Sequence, residues 1–132
     1  MQYSPSLDRA ALIDFATRRY FGAVDRKDLA ATLDCFQDEA LFTVQTSFTC
    51  HAGKAAIERM FIDFFGAYET IVHKDFVVTA DGGNGRIAAC FEAVLTAADG
   101  SVTRLHNTNF WRLRDGRFQE VHVYMSGTNV LV

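Results

Sequence analysis

The sequence predicts an α+β domain, with three helices packed on a strongly curved, mainly antiparallel sheet that closes into a cone-shaped barrel. Three observations lead there. Apolar residues recur at three- and four-residue steps early in the chain and again near its middle, the period of helices buried along one face. From about residue 71 the period changes to two, and long alternating runs are joined by short turn signals. Helices that come early and hairpins that come late give segregated layers, not alternating βαβ units.

Each element has its own signal. Ser6-Leu7-Asp8 supplies a helix N-cap. Behind it Leu12, Ile13, Ala16, Tyr20, Ala23 and Val24 share one face of a helix over about residues 7–26. Asp28 caps a short second helix with Leu29, Leu33 and Phe36 inward, ended by Asp38-Glu39. Residues 41–48 alternate, which puts Phe42, Val44, Thr46 and Phe48 on one face of a first strand. His51-Ala52-Gly53 reads as a turn. From Lys54 the helical period returns in Ile57, Phe61, Phe64 and Tyr68.

The remainder is strand. The run from Ile71 to Thr79 has two possible registers: His73 shares a face with Ile71, Asp75 and Val77, or Val72, Phe76 and Val78 face the core and leave His73 in solvent. Asp81-Gly82-Gly83-Asn84-Gly85 is a turn, followed by a strand from Ile87 to Thr96. Ala98-Asp99-Gly100 and Asp115-Gly116 are hairpin turns on either side of a strand from Val102 to Arg114. In the last strand, Phe118 to Ser126, the residues Val121, Val123 and Met125 face the core while Glu120, His122 and Tyr124 face away. The order is α-α-β-α-β-β-β-β, in a single domain spanning residues 1–132.

Composition narrows the function classes. The 132 residues carry a formal charge of −3, with 13 basic side chains against 16 acidic ones and no basic stripe, which speaks against a nucleic-acid partner. Twelve phenylalanines suit either a thick core or an apolar cavity. Cys35, Cys50 and Cys90 are odd in number and widely spaced, so they read as buried free thiols of a reducing compartment. The first ten residues lack a basic n-region and an apolar h-region, and no apolar stretch approaches membrane-span length. The expected location is cytoplasmic, with no membrane partner. Gly82, Gly83 and Gly85 open no helix, so a dinucleotide loop fails its context, and the four histidines show no ligand spacing; no metal and no cofactor are expected.

Candidate chemistry is modest when read from spacing alone. Asp25 ends the first helix, where a solvated carboxylate is the plainer reading. His73 lies on a strand, where a structural hydrogen bond is the plainer role. Tyr20 fits a core tyrosine. Asn107, Asn109 and Trp111 share one strand face, and two amides on an inward face are costly without partners.

Three stretches, "RRYFGAVDRKDLAATLDCFQDEALFTV", "GKAAIERMF" and "NFWRLRDGRFQEVHVY", resemble the SnoaL-like branch of the nuclear-transport-factor-2-like superfamily. The resemblance covers about Leu7 to Ser126. It implies a cone with a deep apolar pocket, often paired into a homodimer through the outer face of the sheet. Against the ketosteroid isomerases, Tyr20 matches the oxyanion-hole tyrosine, but Val44 stands at the place of the base and Asn109 at that of the second donor. An apolar Val44 cannot abstract a proton. The site pattern is nearer to scytalone dehydratase and hexachlorocyclohexane dehydrochlorinase, whose paired aspartate and histidine match Asp25 and His73. A second dehydratase histidine is missing, its region reading Ala89-Cys90-Phe91, and Tyr20 replaces the dehydrochlorinase lysine.

The resemblance thus implies a small cofactor-independent lyase or isomerase. His73 is the expected base and Asp25 its orienting partner. Tyr20, Asn107 and Asn109 would bind the polar end of a small apolar cyclic molecule, and Phe42, Val44, Phe61, Trp111, Val123 and Met125 would form the apolar wall. The alternative is a non-catalytic ligand-binding or interaction module on the same fold. The outward Glu120, His122 and Tyr124 suit a self-complementary sheet contact and hence a homodimer.

Overall fold

The computed structural model describes residues 7–132; Ser6 of the expected cap lies outside them. Helix α1 covers residues 9–25 as three continuous stretches, α-helical Arg9–Asp14, π-helical Phe15–Tyr20 and α-helical Phe21–Asp25. Asp8 is its N-cap, accepting from the Ala11 amide at 2.8 Å. The wider π turn moves the inward stripe, so Phe15 and Phe21 are buried together with Ala16 and Tyr20. A strict 3.6-residue period misses both phenylalanines and puts Ile13, which is only half-buried, in their stead. The helix closes on Lys27 at φ +55°. The Lys27 amide donates to Val24 and the Asp28 amide to Ala23, satisfying the last carbonyls in a Schellman motif.

Asp28 then caps α2, Leu29–Asp34. This helix stops well before Asp38-Glu39, because Phe36 already belongs to strand β1, Phe36–Val44. The strand also ends sooner than the alternation implies. Gln45–Ser47 form a 3-10 turn and Phe48 takes a left-handed φ of +55°, leaving its ring 98% exposed instead of inward. The turn reverses the chain into a short edge strand, β2, Thr49–Ala52, where the sequence suggests only a turn. β2 pairs antiparallel with β1 and buries His51. Helix α3, Lys54–Ala67, follows with Ile57, Met60, Phe61 and Phe64 buried.

The remaining strands are β3, Thr70–Asp81; β4, Arg86–Thr96; β5, Val102–Arg114; and β6, Arg117–Tyr124. The sheet order is β2-β1-β6-β5-β4-β3, with β1 parallel to β6 and every other pair antiparallel. Asp115 and Gly116, at φ +53° and +76°, make the tight β5–β6 hairpin that the pair Asp-Gly signals. On β6, Val121 and Val123 are buried and Tyr124 is exposed, as their alternation requires, with buried Met125 following.

β3 follows neither of the two expected registers along its whole length. A bulge interrupts its pairing with β4 between Lys74 and Val77, and Asp75 sits there at φ +58°. Ile71 and His73 face inward before the bulge, and Phe76, Val78 and Ala80 do so after it. Val77 and Asp75, expected on the face of His73, are therefore exposed, with Val77 at 71%. The cysteines also divide. Cys35 is buried, but Cys50 and Cys90 occupy outward strand positions and are exposed.

The narrow end of the cone is filled by aromatic rings. Phe118 meets Phe15, Tyr20 and Phe36 at centroid distances of 5.0, 5.1 and 5.5 Å and stacks on Trp111 at 6.0 Å. Removing this ring leaves a void that rigid neighbours cannot fill. Phe118→Ala is expected to cost about 3–5 kcal/mol of unfolding free energy. Phe48→Ala, which removes a ring already in water, should change stability by less than about 0.5 kcal/mol. Urea unfolding of both variants measures the contrast, and equal losses would contradict this packing.

Candidate active site

Asp25 is the last residue of α1, where the exposed carbonyl ends of a helix disfavour a carboxylate. Its negative charge is answered from the sheet. One carboxylate oxygen accepts the backbone amide of His73 at 2.9 Å, and the other lies 2.6 Å from His73 Nδ1. A carboxylate can only accept, so Nδ1 carries the proton and, in the neutral ring, Nε2 carries the lone pair. Nε2 makes no hydrogen bond among the described residues. The imidazole is 8% exposed and held flat against Phe21, with centroids 4.2 Å apart and planes 21° from parallel. Phe91 tilts against it at 5.5 Å.

His73 lines an internal cavity with Tyr20, Asn107, Asn109, Phe42, Phe61, Val123 and Met125, all of them expected there. Asp25 stands behind His73 and does not line it. Val44 and Trp111, expected in the wall, are not part of the lining either. Val44 is fully buried where β1 is flanked by β2 and β6. Trp111 lies in the aromatic plug, edge-on to Tyr20 and Phe21 at 6.4 and 5.8 Å. Phe21, Val24, Phe64, Phe91, Val130 and Leu131 are lining residues that the sequence reading missed. Phe21 could have been found from the five-residue spacing of Ala16 and Phe21, and of Phe15 and Tyr20. Val130 and Leu131 follow the last strand and carry no periodic signal.

The cavity is small. Its volume is about 30 Å³, enough for two or three water molecules, whereas a cavity that holds benzene has roughly 150 Å³. Its polar groups are sparse and specifically disposed. Asn107 Oδ1 accepts from the Ser126 amide at 3.3 Å, which orients the NH2 group as its free end. Asn109 is 3% exposed and its Oδ1 has no partner among the described residues. An orphaned buried acceptor costs about 1–3 kcal/mol. The Tyr20 hydroxyl makes no hydrogen bond among the described residues. Burial raises its pKa well above the ordinary 10.0, with smaller contributions from Cys35 and Asp25. Tyr20 is therefore a neutral donor at physiological pH. Among the described residues, no three His, Cys, Asp or Glu side chains converge closely enough to hold a metal ion, and no helix is long and apolar enough to cross a membrane.

This fold has structural counterparts. The sequence pattern of a SnoaL-like domain matches residues 17–121. A crystal structure from Novosphingobium aromaticivorans, described as a proposed aromatic ring hydroxylase, superposes with a TM-score of 0.78 at 26% identity, covering 95% of this chain and 96% of that one. A proposed SnoaL-like polyketide cyclase from Shewanella denitrificans gives 0.79 at 12% identity, covering 89% and 92%. A Catenulispora acidiphila protein with a ketosteroid isomerase-like fold, solved with trimethylamine, gives 0.73 at 11% identity, covering 86% of both chains. No curated protein sequence matches the chain.

The raised Tyr20 pKa has a measurable sign. The folded chain holds this proton more tightly than the unfolded chain does. The resulting stability is intact below the unfolded value of 10.0 and is lost as pH rises through the folded value. Between about pH 8 and about pH 11, Tyr20→Phe should lose less unfolding free energy than the wild type. Denaturant melts at both pH values test this, and identical losses would mean that Tyr20 is not held neutral.

Proposed function

The chain belongs to the SnoaL-like domain family, and on that premise we propose that it is a small cofactor-independent lyase or isomerase that moves a proton on an apolar cyclic substrate. One observation carries this reading: His73 Nδ1 is occupied by Asp25 at 2.6 Å, while Nε2 has no hydrogen-bond partner among the described residues and the ring lines an apolar cavity. That is the arrangement of a general base whose tautomer is set from behind.

In this mechanism His73 Nε2 removes a proton from a substrate carbon next to a carbonyl. The electron pair moves onto the carbonyl oxygen. The Tyr20 hydroxyl and the amide NH2 groups of Asn107 and Asn109 donate to that oxygen as its charge grows. Asp25 stabilises the imidazolium. The imidazolium then returns the proton to another carbon, completing an isomerisation, or to a departing hydroxyl, completing a dehydration. Exclusion of water by Phe42, Phe61, Phe91, Val123 and Met125 strengthens each of these interactions.

The volume of the cavity favours a second reading, a non-catalytic ligand-binding module. About 30 Å³ does not admit a ring unless the wall moves. Deuterium uptake separates the two. Cyclic β-hydroxy ketones and cyclic enones are incubated with the protein in D2O, and label at carbon is read by mass spectrometry. Catalysis predicts uptake that falls by about 10²–10⁴-fold in His73→Gln. Binding of these compounds without uptake would leave the module, and uptake unchanged in His73→Gln would remove the base.

We also propose a homodimer built on the outer sheet face. There Phe110 and Tyr124 are 48% and 45% exposed and meet edge-on at 5.8 Å. A groove beside them is lined by Arg86, Arg112, Glu120 and His122, so the face carries both charges around an aromatic centre. Light scattering at micromolar concentration should give twice the chain mass, and Phe110→Glu should halve it without unfolding the protein. A monomeric wild type would contradict the proposal.

A further inference from the structure

The wall of the cavity is built in two ways. Most of it is sheet and helix, where backbone hydrogen bonds and buried side chains hold every position. One part is neither. Met125 and Ser126 are still tied down: the Met125 amide donates to Thr46 Oγ1, in the turn after β1, at 3.2 Å, and Ser126 accepts from the His106 amide at 2.9 Å and donates to Asn107 at 3.3 Å, both on β5. The ladder itself ends at Tyr124, and Gly127 follows these last ties. Gly127 itself packs so closely that a Cβ there would lie 2.8 Å from a Leu105 methyl.

Beyond it, residues 128–132 make no backbone-to-backbone hydrogen bond with the sheet or helices among the described residues. They are held through side chains. His51 Nε2 donates to the Leu131 carbonyl at 3.0 Å, Asn129 Nδ2 donates to Thr49 Oγ1 at 3.2 Å, and Asn129 Oδ1 accepts the Leu131 amide at 2.8 Å. Both outside partners, Thr49 and His51, stand on the edge strand β2. Yet Val130 and Leu131 line the same cavity as His73. They are half-buried, while much of the remaining lining is almost fully buried.

We infer that Val130 and Leu131 are the movable wall of the cavity and determine the size of the molecule that reaches His73, with His51 as the residue that positions them. The reasoning is one of relative cost. Admitting a ring requires volume that the cavity lacks. Displacing Phe42, Phe61 or Phe91 breaks the packed core, whereas displacing residues 128–132 breaks two side-chain hydrogen bonds and uncovers two aliphatic side chains. His51 is the buried link, 6% exposed with its ring near Phe42 at 6.3 Å, and it holds the Leu131 carbonyl by a hydrogen bond of 3.0 Å. The molecule that fits is a single apolar ring bearing one hydroxyl or carbonyl, matched by Tyr20, Asn107 and Asn109. This rests on the reading of the cavity as a ligand site, but it requires no proton transfer.

Two hydroxylated probes of different size test it, phenol and 2-naphthol, titrated into the wild type and Leu131→Ala. Binding is followed by nuclear magnetic resonance at the Asn107 and Asn109 side-chain amides and the His73 ring. Leu131→Ala should tighten 2-naphthol by about tenfold and leave phenol within about threefold. In parallel, His51→Ala should speed hydrogen exchange at the Leu131 amide by about tenfold or more, and His51→Gln, which keeps a donor, should restore it. Equal affinity of 2-naphthol for both proteins, shifts confined to residues away from His73, or no binding of either probe to either protein would overturn the inference. Failure of the catalytic reading looks different: deuterium uptake that survives His73→Gln removes the base and leaves the size dependence of probe binding intact.

Discussion

A single extra residue in β3 supports the arrangement around His73. A strand with an unbroken two-residue period can turn either His73 or Phe76 inward, not both, because the two differ by an odd number of positions. Asp75, at φ +58° inside the bulge, absorbs that odd step. Phe21 then stacks on both rings, His73 at 4.2 Å and Phe76 at 5.5 Å, and Phe91 closes on the same pair. The left-handed conformation is unfavourable for a residue with a Cβ, though least so for Asp and Asn. The packing gained by bringing both halves of the strand to the core offsets it.

The same region joins helix to sheet electrostatically. The carboxylate of Asp25 at the C-terminal end of α1 opposes the helix dipole by about 0.3–1 kcal/mol. Two hydrogen bonds from His73, one from the backbone and one from the ring, compensate it. The pairing works because the Schellman closure at Lys27 reverses the chain at once, leaving the Asp25 side chain pointed toward β3. Helix termination, strand register and imidazole orientation are thus one coupled constraint. A shift in any of them separates the ring from its carboxylate.

Around this constraint the apolar side chains do two different jobs. Phe15, Phe36, Phe118 and Trp111 fill the narrow end of the cone and leave no space. Phe42, Phe61, Phe91, Val123 and Met125 surround what space remains and separate the polar ends of Tyr20, Asn107, Asn109 and His73 from bulk water. In such surroundings every hydrogen bond to a ligand is stronger and every unmade one costs more. The unpartnered Asn109 Oδ1 is a cost that packing alone does not account for.

Local chemistry made much of the architecture legible. The caps at Asp8 and Asp28, the period of α3, the Asp115-Gly116 hairpin and the two faces of β6 each follow from residues adjacent in sequence, because hydrogen bonds and alternation within a single element decide them. The resemblance singled out Asp25 and His73 as a pair. Other features were decided only when distant segments met. The π turn in α1 and the bulge in β3 each insert one residue into a regular period, a change that pays only against the partner surface. The sequence carried its trace as a switch of apolar parity between His73 and Phe76. β2 is a strand because β1 offers it an unpaired edge, and Phe48 is exposed because the turn into β2 takes the chain out of the sheet there. Val44 and Trp111 have the composition of a cavity wall, but Val44 is buried between β2 and β6 and Trp111 is packed in the aromatic plug against Phe118. Val130 and Leu131 reach the cavity from beyond the last strand, where no local period applies. The sequence determined which residues were apolar, polar or turn-forming; the tertiary structure decided which apolar ones border empty space, since that depends on how volumes fit across elements far apart in the chain.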